Sequence, residues 1–175
     1  MGGLIRTLVA TIGALGLLAA SAVTALADEG GNLTDFSTMT PVTGSAVGAV
    51  NDRGITGGGL PWVITAGSGT VSQQGMVDVT VTGLVIPVLG NKNPVAFFKA
   101  TVSCLGPSGV TNVSTANFAA SATGDAHIQA VIDLPHPCKQ PIIFVAAPTG
   151  QWFAESNPDT QPLDPLTTLS PPASS

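Results

Sequence analysis

Both histidines of the chain, His127 and His136, fall in one short stretch, GDAHIQAVIDLPHPCKQP, which also carries Asp125, Asp133 and Cys138. A carboxylate beside an imidazole can orient the ring or hold its proton. Asp125 and His127 are two residues apart, so a strand would place them on one face. They are the candidate ligand or metal pair. A mononuclear iron or zinc centre would still need a third protein ligand. Asp133 shares that face but lies about 26 Å further along an extended strand, too far to complete the site. His136, two residues before Cys138, could lower a thiol pKa and make a nucleophile. Copper would want a second histidine and usually a methionine nearby.

The two cysteines, Cys104 and Cys138, have a simpler use. Their spacing does not match a zinc motif, and a pair in an exported chain reads as one disulfide. Chain entropy alone would make that bridge worth roughly 3–4 kcal/mol. No GxSxG motif is present, so no catalytic residue is assigned, and no metal or cofactor is expected. The glycines of GITGGGLPW, Gly57 to Gly59, lack the strand–loop–helix context and lysine of a nucleotide loop. They read as a bulge or crossover that sends Leu60 and Trp62 into the core. Trp62 and Trp152 are the candidate aromatic contacts for a sugar.

These residues must be positioned by strands. MVDVTVTGLVI alternates Val77, Val79 and Val81 with Asp78, Thr80 and Thr82, a half-buried strand. VAFFKATVSC turns Ala96, Phe98, Ala100, Val102 and Cys104 inward and Phe97, Lys99, Thr101 and Ser103 outward. DAHIQAVIDL sets Ala126, Ile128, Ala130, Ile132 and Leu134 against Asp125, His127, Gln129, Val131 and Asp133. PIIFVAA is apolar throughout and reads as a central strand covered on both faces. LPWVITA, GTVSQQ, NFAASA and QWFAE are shorter candidates, and AVGAVNDRG a weak one. Turn chemistry in GSG, QQG, LGNKNP, GPSG, ATGD and PTG separates them.

Roughly seven to nine short strands at this spacing predict an all-β, antiparallel two-sheet sandwich. Strand count and spacing make it similar to immunoglobulin-like Greek-key sandwiches. It departs from true immunoglobulin domains in having no Trp between the cysteines and no Tyr for a tyrosine corner.

The ends set the organisation. Arg6, the apolar run from Leu8 to Ala20 and the Ala25-x-Ala27 ending read as a signal peptide over residues 1–27. Residues 28–45 show neither period and read as a flexible leader, with room for one short edge strand. The sandwich is expected over 46–155, and the Pro/Ser/Thr-rich residues 156–175 as a disordered tail. The sequons at Asn32 and Asn112 would accept glycans only in a source with that machinery.

The net charge is −5, and after export Arg53, Lys92, Lys99 and Lys139 would be the only cations against ten acids. No basic patch supports nucleic-acid or anionic-lipid binding. No second apolar run is long enough for a membrane span after signal cleavage. The expectation is a secreted, extracellular, non-enzymatic protein, a binding, adhesion or surface module for an unknown extracellular ligand or surface. A small extracellular enzyme or metal-binding protein using Asp125 and His127 is the first alternative. An interfacial or self-assembling coat protein, suggested by sparse charge, is the second.

Overall fold

The computed structural model describes residues 31–157. The signal peptide expected over 1–27 and the tail from residue 158 onward lie outside the described residues. Among the described residues ten strands run in the order β1 Asn32–Phe36, β2 Thr38–Pro41, β3 Ala66–Ser72, β4 Met76–Thr82, β5 Phe97–Gly106, β6 Gly109–Ser114, β7 Phe118–Ala119, β8 Ala126–Val131, β9 Lys139–Ala146 and β10 Trp152–Asn157. The only helices among the described residues are two single 3-10 turns, Gly44–Ala46 and Pro87–Leu89. The fold is all-β.

Two antiparallel sheets form. The first is four-stranded, in the order β1-β3-β4-β8. The second is six-stranded, in the order β2-β10-β9-β5-β6, with β7 pairing to β5 off that path. The inward residues of both sheets make one core. From the first come Val77, Val79, Val81 and Ile128, and from the second Phe98, Ala100, Val102 and Cys104. Every one of these was legible from the period of two. Strand β9 lies between β10 and β5, and its residues Ile143 to Ala146 are fully buried, as its unbroken apolar run requires.

Residues 32–41, expected in a flexible leader, instead form β1 and β2, which take edge positions in different sheets. The chain changes sheets between Phe36 and Thr38, so the inward residues Phe36 and Met39 are three apart. A period of two cannot show through such a crossing. The far end also differs, because β10 runs to Asn157, two residues past the expected boundary. LPWVITA, expected as a short strand, makes one isolated bridge, Val63 to Val85, and only its last residue, Ala66, enters a strand, as the start of β3.

Cys104 and Cys138 form the disulfide, with 34 residues of separation and a Cα–Cα distance of 4.8 Å. It ties the middle of the six-stranded sheet to the proline-rich segment entering β9. No helix among the described residues is long and apolar enough to cross a membrane.

Trp62 is buried under the glycine stretch. Its ring stacks on Phe153 at 4.0 Å, and Phe98 meets both edge-on. A Cβ at Gly57 would stand 2.1 Å from the Ala46 carbonyl oxygen, and one at Gly58 2.9 Å from the Trp62 indole nitrogen. The glycines are there so that backbone can lie against the core. Leu60, expected to enter with Trp62, stays exposed at the surface.

Candidate functional site

Of the expected pair, Asp125 immediately precedes β8 and His127 lies in it, and each side chain has its own partners. Asp125 closes the turn before β8. It accepts from the Gly83 backbone N–H at 2.9 Å, the Thr123 hydroxyl at 2.6 Å and the Ser121 hydroxyl at 3.1 Å. The Asp125 N–H in turn donates to Ser121 Oγ at 2.9 Å. The Thr123 hydroxyl first, and the Gly83 N–H after it, hold the Asp125 carboxyl below the usual carboxylate range. Gly124 makes the turn possible: φ is +80° there, and a Cβ would meet the Leu84 backbone at 2.2 Å.

His127 looks the other way, to β4. Its Nε2 lies 2.9 Å from Asp78 Oδ1, while Gln129 Nε2 donates to Asp78 Oδ2 at 3.1 Å. The register places Asp78 opposite Gln129 and Thr80 opposite His127, so the His–Asp contact is the diagonal one. Asp78 is the partner that the sequence did not single out. Its outward position was readable, but the pairing of β4 with β8 was not. All three side chains sit on the open outer face of the four-stranded sheet, with His127 56% and Asp78 40% exposed. Among the described residues no group of three His, Cys, Asp or Glu side chains converges as a metal site would need.

Neither tryptophan offers a ring to solvent. Trp62 is 2% and Trp152 4% exposed, so the expected aromatic contacts are core members. Their large apolar area explains this: inside a sandwich it is worth more buried than displayed.

The other sheet carries a different surface. Residues 51–56 fold across the outer face of β5 and β6. The loop is tied in place by the Asn51 carboxamide oxygen, which accepts from the Arg53 and Ile55 N–H groups. Arg53 is 6% exposed. Its guanidinium donates to the Gln140 carbonyl at 3.0 Å and reaches the Ser103 carbonyl at 3.5 Å. It thereby spans β5 and β9 where a register shift interrupts their ladder. The Asn112 side-chain amide on β6 donates to the Arg53 carbonyl at 2.9 Å, so one of the two sequon asparagines is engaged in tertiary structure. Thr101 and Ser103, expected outward, do point outward yet are buried at 5% and 0%. The covering loop buries them, and nothing in the local alternation announces it.

Beside that loop lies a depression of about 340 Å³. Its floor is Lys99 and Thr101 from β5 with Asn112 and Ser114 from β6. Its walls are residues 54–56 and residues 149–151 of the β9–β10 connection. The Thr101 and Ser114 hydroxyls are 2.9 Å apart. Lys99 Nζ donates to the Pro148 carbonyl at 3.2 Å, which brings the ammonium to the wall. The floor is set on paired strands, so its side chains are preorganised. Lys99 and Thr101 were read as outward from the alternation alone. That Asn112, Ser114 and two distant loops would join them was hidden, because cross-strand partners and loop paths are tertiary.

A second depression, about 590 Å³ and mostly apolar, opens between Ala119–Ser121 and the outer edge of β8, and includes Asp125 and His127 in its lining. Of its polar members, Ser121, Asp125 and His127 are already partnered as described.

No protein-family model, curated protein or solved structure matches this chain.

Proposed function

We propose that the protein is a secreted, non-enzymatic binding module that uses the depression on the outer face of its six-stranded sheet to hold a polar extracellular ligand. The carrying observation is the depression itself. Four polar side chains on two paired strands form a fixed floor between two loops, and its volume falls within the roughly 300–1,000 Å³ typical of ligand sites. Export through residues 1–27 fits the disulfide, which persists in oxidising compartments. The sandwich is of the immunoglobulin-like Greek-key kind. The order β10-β9-β5-β6 supports this, since it parallels the sheet of variable-type domains. The β3–β4 hairpin, which joins neighbours in the other sheet, departs from that plan.

In this reading Asp125 and His127 are scaffold side chains, one closing a turn and one bracing two strands. The test is heteronuclear NMR of residues 28–175 titrated with panels of soluble extracellular saccharides and peptides. Binding is expected to move amide signals of Lys99, Thr101, Ser114 and Gln151 first. Shifts confined to His127 and its neighbours, or turnover of a bound compound that His127→Ala abolishes, would overturn the reading.

A further inference from the structure

We infer that the ligand of this depression is an acidic saccharide, bound by its carboxylate at Lys99 and by a sugar face on Phe97; this rests on the binding reading above and names its ligand class. Two features meet here. The first is charge. Among the described residues Lys99 is the only charged one lining the depression, and none of them lines it with a carboxylate. Asp52 and Glu155, which act on one another, are not part of the lining. In a chain of net charge −5, a cation set among hydroxyls and amides with no acid beside it selects an anion locally. One of its N–H groups goes to Pro148, and an ammonium has three to give.

The second feature is a platform. Phe97 is 48% exposed, although it is large and apolar and lies in a strand that buries Phe98 completely. It sits two residues from Lys99 on the same outer face of β5, about 7 Å along the strand. Phe97 does not line the depression itself but follows Lys99 beyond its end, so a ligand that runs past Lys99 meets an exposed aromatic ring next to a floor of hydroxyls and amides. That matches a pyranose, whose C–H face packs on rings while its rim exchanges hydrogen bonds. The polar groups retain capacity for this. Asn112 spends its amide N–H on Arg53 and keeps its oxygen free to accept. Gln151 accepts from Thr149 through its oxygen and keeps its amide N–H groups to donate.

The test uses residues 28–175 and two probes, a trimer of galacturonic acid and the same trimer as its methyl ester, compared by titration calorimetry and by NMR mapping. The expected result is at least tenfold tighter binding of the acid, with shifts at Lys99, Thr101 and Phe97. Lys99→Gln should remove the preference while keeping binding of the ester. Phe97→Ala should weaken both probes about equally. Far-ultraviolet circular dichroism and the thermal midpoint check that both exposed-site variants fold. Equal binding of acid and ester at these residues would overturn the acidic assignment and leave the binding module standing. Binding of neither probe, or a preference that survives Lys99→Gln, would also overturn the assignment. A site mapped elsewhere would overturn both readings.

Discussion

The outer faces of the two sheets begin from the same sequence pattern and end as different surfaces. On β4 and β8 the outward residues His127 and Gln129 both hydrogen-bond to Asp78 and the three remain in water. On β5 the outward residues Thr101 and Ser103 are buried, because residues 51–56 lie over them and Arg53 is drawn under that cover. The first face is a solvated sheet surface with a few side-chain contacts. The second is a layer of its own, with a buried cation, a covering loop and a depression at its margin. Alternation tells which way a side chain points, but only tertiary structure tells whether water is there. The residues with the most reactive chemistry, His127 and Asp125, fall on the open face. The depression there is lined mostly by apolar groups, whereas the floor of the one on the covered face is threonine, serine, asparagine and one lysine.

The comparison is broken or sharpened most strongly at Arg53. Arg53→Ala removes the donors to the Gln140 and Ser103 carbonyls and the aliphatic stem packed beneath the loop. Hydrogen bonds from a charged donor are worth about 1.5–3 kcal/mol each, and a buried carbonyl left unpaired adds to the loss. The 3.5 Å contact to Ser103 is the weaker of the two. A loss of about 2–4 kcal/mol in urea unfolding is expected. Arg53→Met keeps the stem and should lose less, which separates packing from hydrogen bonding. A loss below about 0.5 kcal/mol, the level of an ordinary surface change, would make the covered face energetically equal to the open one and end the contrast.

Arg53 also marks where sequence reasoning stops. The core strands β4, β5, β8 and β9 were legible because each keeps one inward face along its whole length, so the period of two survives. Strands β1 and β2 were not, because the chain switches sheets between them and the period restarts. The disulfide was legible from cysteine count and context. The candidate pair Asp125 and His127 was legible as a shared face, but its partners, Gly83 and Thr123 for one and Asp78 for the other, depend on strand register and turn geometry. Arg53 gave no signal at all. A lone arginine between Asp52 and Gly54 in a polar loop reads as solvated, and only its carbonyl partners on β5 and β9 show otherwise.

A smaller effect is expected at Glu155, on β10. Burial first, and the charge of Asp52 after it, push the Glu155 carboxyl above its usual range. The folded protein therefore holds that proton more tightly than the unfolded chain does. The resulting stabilisation is complete below the ordinary carboxylate pKa and is lost as pH rises through the raised folded value. Above that raised value the half-buried carboxylate is ionised near a second one. Glu155→Gln should then stabilise the protein, by roughly 0.3–1 kcal/mol once solvent screening of a half-exposed group is allowed for. The gain should shrink toward zero near about pH 4, where the native side chain is itself protonated. Urea unfolding at both pH values reads this directly. If Glu155→Gln destabilises at neutral pH, the carboxylate has a favourable partner and the electrostatics of the covered face are of the opposite sign.

The smallest change should come from His127→Ala on the open face. The pair it makes with Asp78 has good geometry at 2.9 Å, but both side chains are largely in water. Exposed pairs of this kind couple by about 0.2–1 kcal/mol, and salt screens them. A double-mutant cycle with Asp78→Asn is expected to give a coupling at or below about 0.5 kcal/mol, smaller still at high salt. That value would mean that the imidazole, the most chemically versatile side chain in the fold, is neither buried nor tightly held. It would also mean that the open face owes its stability to the valines beneath it. A coupling well above about 1 kcal/mol, resistant to salt, would instead require a desolvated His–Asp pair. The difference between the two faces would then lie in their covering alone and not in their energetics.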